Sequence, residues 1–215
     1  MSNALRITEI FHSLQGESSL MGLPTVFVRL TGCPLRCQYC DTSYAFSGGI
    51  VYQLKEVLQQ VASYHCKYVT VTGGEPLAQP DCARLLSMLC DAGFTVSLET
   101  SGAMDISEID KRVIIVMDLK TPGSGEQNKN ILENLSKLEK KDQLKFVICS
   151  REDYLWSKQQ LEQFDLKNKV SDVLFSPSKE ELSAKELAEW ILEDRLDVRF
   201  QLQLHKLLWE DQPGH

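Results

Sequence analysis

At 215 residues the chain has room for one sizeable domain with a core of its own, expected to span residues 1–215. Its 23 Lys and Arg are outnumbered by 30 Asp and Glu, a formal net charge of −7, and no long basic stripe offsets them, which argues against a nucleic-acid backbone as main partner. The N-terminal Met1-Ser2-Asn3-Ala4-Leu5-Arg6 lacks the basic-then-apolar pattern of a signal peptide, and the most apolar run, Val113 to Met117, is far too short to span a bilayer. The expectation is a cytoplasmic protein with no membrane partner, and in that reducing compartment seven cysteines favour metal binding over disulfides. Leu5 to Phe11 largely alternates apolar and polar residues, as a half-buried strand does, and runs into a polar glycine-bearing loop, His12 to Ser18. Thr25 to Leu30, rich in β-branched and aromatic residues, predicts the next strand.

Leu54, Val57, Leu58 and Val61 recur at helical spacing and predict an amphipathic helix. Tyr68 to Thr72, Phe94 to Glu99, Val113 to Asp118, Leu144 to Cys149, Val173 to Phe175 and Arg199 to Leu204 predict further strands. Between them, Asp81 caps a helix that carries Cys82, Leu85, Leu86, Leu89 and Cys90 on one face, and Gly93 ends it. Cys82 and Cys90 therefore read as core, and Cys149, closing an apolar run, as buried. Ile131, Leu135 and Leu138 suggest another helix, Leu155 to Phe164 a weaker one, and Ser183-Ala184-Lys185-Glu186 is a capping box opening a last helix through Leu187, Trp190 and Ile191.

Strands alternating with helices imply parallel strands joined by right-handed crossovers. A full eight-fold barrel takes about 250 residues, so the expected α/β architecture is an incomplete, open (β/α) barrel. Polar segments follow the predicted strands at Cys33–Thr42, Thr72–Pro76, Glu99–Gly102, Asp118–Pro122, Ser176–Ser178 and His205–Lys206. The C-terminal strand ends of such folds form one ligand-binding rim.

The chemistry centres on Cys33, Cys37 and Cys40, spaced C-x3-C-x2-C, with Tyr39 before the last and Asp41-Thr42 after it. A closed zinc or iron–sulfur site wants four protein ligands, so these three cysteines leave either a zinc knuckle completed by a distant residue or a four-iron cluster with one open iron. Gly73-Gly74-Glu75-Pro76 adds either a tight strand-to-helix turn or a backbone that closely approaches a ligand. Together the two motifs resemble the radical S-adenosylmethionine (SAM) superfamily. That resemblance implies a [4Fe-4S] cluster on the three thiolates and SAM on its open iron. It also implies SAM contacts from Tyr39, Asp41, Gly73, Gly74, Glu75, Ser101, Asp118, Lys120, Ser176 and Ser178.

Leu14-Gln15-Gly16-Glu17, Arg29, Asp41-Thr42, Leu204-His205-Lys206, Trp209 and Asp211 to Gly214 complete a set that resembles the 7-carboxy-7-deazaguanine synthase family over nearly the whole chain. That family commonly reads Q-G-E-G where Ser18 takes the last place here, and W-G-D where Glu210 stands. The resemblance implies a lyase that turns 6-carboxy-5,6,7,8-tetrahydropterin into 7-carboxy-7-deazaguanine on the way to queuosine. In that reaction a 5′-deoxyadenosyl radical takes the C6 hydrogen, the ring contracts and ammonia leaves. It further implies a pterin pocket of Leu14, Gln15, Gly16, Glu17, Arg29, Thr72, His205, Lys206 and Pro213. Mg2+ would lie on Thr42, with a homodimer and a flavodoxin- or ferredoxin-type electron donor as partners. Read without the resemblance, Arg29 fits a strand-borne salt bridge and Thr42 a turn hydroxyl. Two alternatives share the cysteines: a glycyl-radical-enzyme activase, and a non-catalytic zinc or iron–sulfur binding module.

Overall fold

In the computed structural model, residues 3–210, 212 and 214 are described. A nine-stranded sheet runs in the order β3-β1-β2-β4-β5-β6-β7-β8-β9. Its strands are β1 (Ala4–Leu14), β2 (Pro24–Leu30), β3 (Ile50–Gln53), β4 (Tyr68–Gly73), β5 (Thr95–Thr100), β6 (Ile114–Asp118), β7 (Gln143–Ile148), β8 (Asp172–Pro177) and β9 (Arg199–Phe200). From β2 to β9 every pairing is parallel, while β1 runs antiparallel to both β2 and β3. The sheet is open, as expected, with β3 and β9 at its edges.

Alternation along each strand sorts the side chains. Val26, Val28, Leu30, Val69, Val71, Val96 and Leu98 form one apolar cluster with Leu54, Val57 and Val61 of α1 (Leu54–Ser63) and Leu85, Leu86 and Leu89 of α2 (Cys82–Asp91). Met117, Leu144, Phe146, Ile148 and Phe175 form a second with Tyr154 and Leu161 of α3 (Arg151–Gln163) and Leu187 and Ile191 of a later helix, Ala184–Glu193. The other face of the strands is polar: Arg29, Thr70, Thr72, Ser97, Glu99, Asp118, Gln143 and Lys145 alternate with those apolar residues.

The loop 15–23 between β1 and β2 lies across this polar face. Gln15 Nε2 donates to Thr70 Oγ1 (3.0 Å) and Glu99 Oε1 (3.2 Å), and Ser19 N–H donates to Gln143 Oε1 (2.7 Å). Ser18 N–H donates to Gln201 Oε1 (2.8 Å), whose Nε2 donates back to Ser18 O (2.9 Å). Nine residues thus touch β4, β5, β7 and the segment after β9, which requires the sheet to curl around them.

Several sequence expectations need correction. β1 is longer than expected: His12, Ser13 and Leu14 are strand, paired with Val26, Thr25 and Pro24. The edge strand β3 went unseen because Ile50 and Val51 are exposed and show no buried alternation. No α-helix forms over 131–138; the connection is a set of single 3-10 turns, the last at Leu132–Ser136. The last strand is only Arg199–Phe200, and His205 and Lys206 lie instead in a short helix, Leu204–Leu208. Asp81 holds the N-cap position of α2 without a side-chain capping bond. Gly93 does end that helix at φ +88, with Phe94 N–H donating to Leu89 O (3.2 Å) and Gly93 N–H to Cys90 O (3.0 Å), a Schellman motif. Cys82 is fully buried, whereas Cys90 and Cys149 are only half-buried. Ser183 Oγ accepts from Glu186 N–H (3.1 Å), one of the two bonds of the expected capping box.

Candidate active site

The C-terminal ends of the strands, the loop 15–23 and the Leu204–Leu208 helix enclose a cavity of about 230 Å3. Cys33, Cys37 and Cys40 line it, with Leu14, Gln15, Gly16, Glu17, Arg29, Tyr39, Asp41, Thr42, Thr72, Gly73, Gly74, Ser101, Asp118, Lys120, Ser178, His205 and Lys206. Two expected residues stand behind its wall. Glu75 is fully buried, its carboxylate accepting from Ser101 N–H (2.7 Å), Thr100 Oγ1 (3.0 Å) and Leu77 N–H (3.0 Å). Ser176 lies within β8, buried, its hydroxyl without a partner among the described residues. Pro213 falls outside the described residues.

The cysteine loop is braced on all sides. Arg36 donates to the carbonyls of Cys33 (2.7 Å) and Leu35 (2.6 Å) and stacks on Phe46 (4.3 Å). Gln38 N–H donates to Ser124 O (3.1 Å), Gly32 N–H to Ala45 O (2.8 Å) and Glu75 N–H to Gly32 O (2.8 Å). The two glycines of the Gly73-Gly74 turn serve this packing. A Cβ on Gly73 would lie 2.4 Å from Leu30 O, and one on Gly74 2.6 Å from Cys33 Cβ, so only glycine lets the turn press against the cysteine loop. Burial pushes all three thiols up, Cys37 to about 11. Metal capture must therefore displace their protons.

The opposite wall carries the charges. Parallel pairing sets Arg29 beside Thr72 and Asp118 beside Lys145. Arg29 Nε donates to Glu9 Oε1 (2.7 Å), and its guanidinium lies 5.6 Å from the Phe11 ring and 5.8 Å from the Tyr44 ring. Thr72 Oγ1 donates to Glu99 Oε2 (2.9 Å). Lys145 pairs with Glu17 and lies 3.5 Å from Asp118 Oδ2, which Lys120 also meets at 3.0 Å. Burial alone would raise Glu17, but Lys145 and His205, with hydrogen bonds from Lys145 and Gln203, outweigh it and hold the carboxyl below its usual range. Burial and the Glu17 charge push Glu99 up.

Glu99, Lys145, Tyr44 and Gln203 were missed as site residues. A glutamate closing one buried strand and a lysine inside another were the available signals, since such charges are almost never buried unpaired.

The Leu204–Leu208 helix closes the cavity at two points. Lys206 Nζ meets Asp41 Oδ2 at 2.8 Å, beside the last cysteine, and Leu204 N–H donates to Gly16 O (3.0 Å). A Cβ on Gly16 would come within 2.4 Å of His205 Nδ1 and 3.2 Å of its backbone nitrogen. Gly16→Ala should displace His205 and cost about tenfold to a hundredfold in kcat/KM, since a 1 Å misplacement suffices for that. Steady-state kinetics alongside a thermal melt would check it; unchanged kinetics would remove His205 from the working site.

The chain matches the Radical SAM superfamily over residues 27–123. It is 43% identical to the 7-carboxy-7-deazaguanine synthase of Chlorobaculum tepidum, covering 95% of this chain and 94% of the relative. It is 41% identical to that of Koribacter versatilis, with 95% and 97% covered. The chain belongs to the 7-carboxy-7-deazaguanine synthase family. It is thus a radical SAM enzyme and a carbon–nitrogen lyase of queuosine and deazapurine biosynthesis, which replaces both the activase and the non-catalytic module as readings of the cysteines. The crystal structure of QueE from Escherichia coli shares the fold, with a TM-score of 0.76 at 20% identity over 94% of this chain and 95% of that one.

Membership in the 7-carboxy-7-deazaguanine synthase family puts a [4Fe-4S] cluster and SAM in the cavity, and the residues fit both. Three thiols and no fourth on one wall leave an iron open. The other four cysteines lie away from this wall. Asp118 Oδ1 and Tyr39 OH are buried in the wall with no partner among the described residues, and such atoms mark where a polar ligand belongs. At the two departures from the family pattern, Ser18 and Glu210 hold φ +67 and +57, the left-handed region where glycine is at ease.

Proposed function

We propose that the cavity converts 6-carboxy-5,6,7,8-tetrahydropterin to 7-carboxy-7-deazaguanine with loss of ammonia. The observation that carries this is the meeting of Arg29, Thr72, Glu17 and His205 with the three cysteine thiols in one cavity. Bound there, the cluster and SAM supply the one-electron chemistry that removes a hydrogen atom from carbon. The chain's own residues do the rest. Arg29, steered by Glu9 and flanked by Phe11 and Tyr44, offers its planar fork to the substrate carboxylate. Backbone groups of Leu14, Gln15 and Gly16 meet the pterin edge, and the ionised Glu17 accepts its N–H donors. Glu99, pushed up by burial and by the Glu17 charge, accepts from Thr72 Oγ1 and Gln15 Nε2 and so holds both side chains in place along the pterin wall. Tyr39, Asp41, Gly73, Gly74, Ser101, Asp118, Lys120 and Ser178 surround SAM, with Glu75 and Ser176 supporting that wall from behind, and the tail through Pro213 completes the pterin side.

Thr42 is the proposed protein ligand to Mg2+. Its Oγ1 donates to Asp41 Oδ1 (2.8 Å), which orients the hydroxyl oxygen and leaves its lone pairs for a cation. Magnesium readily keeps waters and substrate oxygens for the rest of its shell. The enzyme works in the cytoplasm as a single-domain homodimer, fed by a flavodoxin- or ferredoxin-type donor. Among the described residues no helix is long and apolar enough to cross a membrane.

Anaerobic turnover with magnesium titrated tests this reading. The unaltered chain should make carboxydeazaguanine with magnesium-dependent kinetics. Thr42→Ala should raise the magnesium requirement at least about tenfold, the range for losing a metal-site partner. Product formation by Thr42→Ala at the unaltered magnesium requirement would remove Thr42 from the metal site.

A further inference from the structure

Lys145, like Glu99, is a largely buried charged group that neither motif nor family pattern led to. It rises from β7, whose neighbouring residues Leu144 and Phe146 are fully buried in the apolar core, and points to the opposite, cavity side. Its ammonium group meets two carboxylates that arrive from different places: Glu17, carried by the loop 15–23, and Asp118, at the end of β6, with Oδ2 at 3.5 Å. Only 14% of the Lys145 side chain and 12% of the Glu17 side chain are exposed, so the pair is held largely out of water. Gln203 Nε2 donates to the other Glu17 oxygen (2.7 Å), which leaves that side chain little freedom while both partners are present. The groups facing Glu17 are Lys145 from β7, His205 from the C-terminal helix and Glu99 from β5.

Truncating Lys145 would do two things at once. It would leave Glu17, Glu99 and Asp118 as largely buried carboxyls around a vacated cation, and it would release the Glu17 side chain while Ser19 and Gln143 still tie the loop 15–23 to β7. Lys120 remains beside Asp118 at 3.0 Å, so Asp118 keeps a cation while Glu17 loses the ammonium it pairs with.

We propose that Lys145 is a positioning residue of the substrate site: by bridging Glu17 and Asp118 it fixes the Glu17 carboxylate against the cavity wall and so sets affinity for the pterin rather than for SAM. This rests on the substrate reading above. The asymmetry between the two lysines makes it testable.

The experiment is equilibrium dialysis of cluster-reconstituted enzyme without reductant, so that no turnover occurs, with 6-carboxytetrahydropterin and SAM measured separately. Iron content and thermal melts accompany each variant. Lys145→Met should weaken pterin binding at least about tenfold, the scale for removing one partner of a buried charge pair, and leave SAM binding within about threefold. Lys145→Arg, which keeps the charge, should recover most of the pterin affinity, although its melting temperature need not recover with it. Equal losses for pterin and SAM, or pterin affinity unchanged in Lys145→Met, would overturn the positioning role. If the unaltered chain binds SAM but no pterin, the substrate reading fails and this proposal with it; if it binds pterin and Lys145→Met binds it equally, only this proposal fails.

Discussion

Alanine at Cys33, Cys37 or Cys40 will abolish iron binding and 5′-deoxyadenosine formation while leaving the fold in place. The three thiols lie on the cavity wall, half-buried, and belong to neither apolar cluster of the sheet and its helices. Their removal therefore opens no cavity in the core, yet it takes away one of the three thiols that line the cavity, and the other four cysteines do not line it. Iron per chain should fall from about four to near zero after anaerobic reconstitution, with the brown absorbance lost. Cys82→Ser is the informative contrast. That side chain is fully buried at the start of α2, and a hydroxyl in its place should cost about 1–3 kcal/mol of stability and leave iron content untouched. Iron retained in a Cys37→Ala variant would break the assignment of the loop; iron lost in Cys82→Ser would show that the contrast was one of folding.

Arg29→Met should weaken substrate binding by about thirtyfold or more, the range of 2–5 kcal/mol expected when one partner of a buried, hydrogen-bonded charge pair is cut away. The guanidinium is held by Glu9 at 2.7 Å through Nε and flanked by Phe11 and Tyr44, and Tyr44 OH donates to the same Glu9 oxygen at 2.8 Å. That arrangement fixes the plane of the fork from behind. A salt bridge needed only for the β1–β2 pairing would look alike in one respect, so the readout must separate them. A tetrahydropterin lacking the 6-carboxylate should bind the unaltered chain and Arg29→Met almost equally if the fork reads that carboxylate. An equal loss for both ligands would reduce Arg29 to a structural ion pair.

The cysteine loop and most of the strands were legible because they rest on local patterns. β-branched runs at Thr25 to Leu30 and Tyr68 to Thr72 mark strands, and the polar stretches after them mark the rim where the cavity lies. The helical spacing at Leu54 to Val61 held for the same reason. Ile131, Leu135 and Leu138 show why spacing alone can mislead. Three apolar residues at helical intervals also suit successive 3-10 turns packed by Leu135, and Asn134, buried and donating to Gly102 O (3.3 Å) and Met104 O (2.7 Å), ties the segment to a neighbouring loop instead of to its own helix.

The charged wall was harder to see because it depends on register. Lys145 meets Glu17 across 128 residues, and Gln15 meets Glu99 across 84, contacts that no local window contains. The glycine motif shows a different limit. Gly73 and Gly74 suggested a close approach to a ligand, and the approach that the structure demands of them is to Leu30 O and to the cysteine loop itself. Ser18 and Glu210 stand where the family commonly has glycine, and both hold the positive φ that glycine adopts most easily, a backbone feature that the residue types alone do not announce.

The most direct test uses 6-carboxytetrahydropterin deuterated at C6, incubated anaerobically with reconstituted enzyme, SAM, a reductant and magnesium, and followed by mass spectrometry. The cavity described here predicts one deuterium in 5′-deoxyadenosine and, in step with it, 7-carboxy-7-deazaguanine. 5′-Deoxyadenosine without deuterium and without carboxydeazaguanine, from enzyme carrying its full cluster, would contradict the claim that this cavity presents the pterin C6 hydrogen to the radical chemistry.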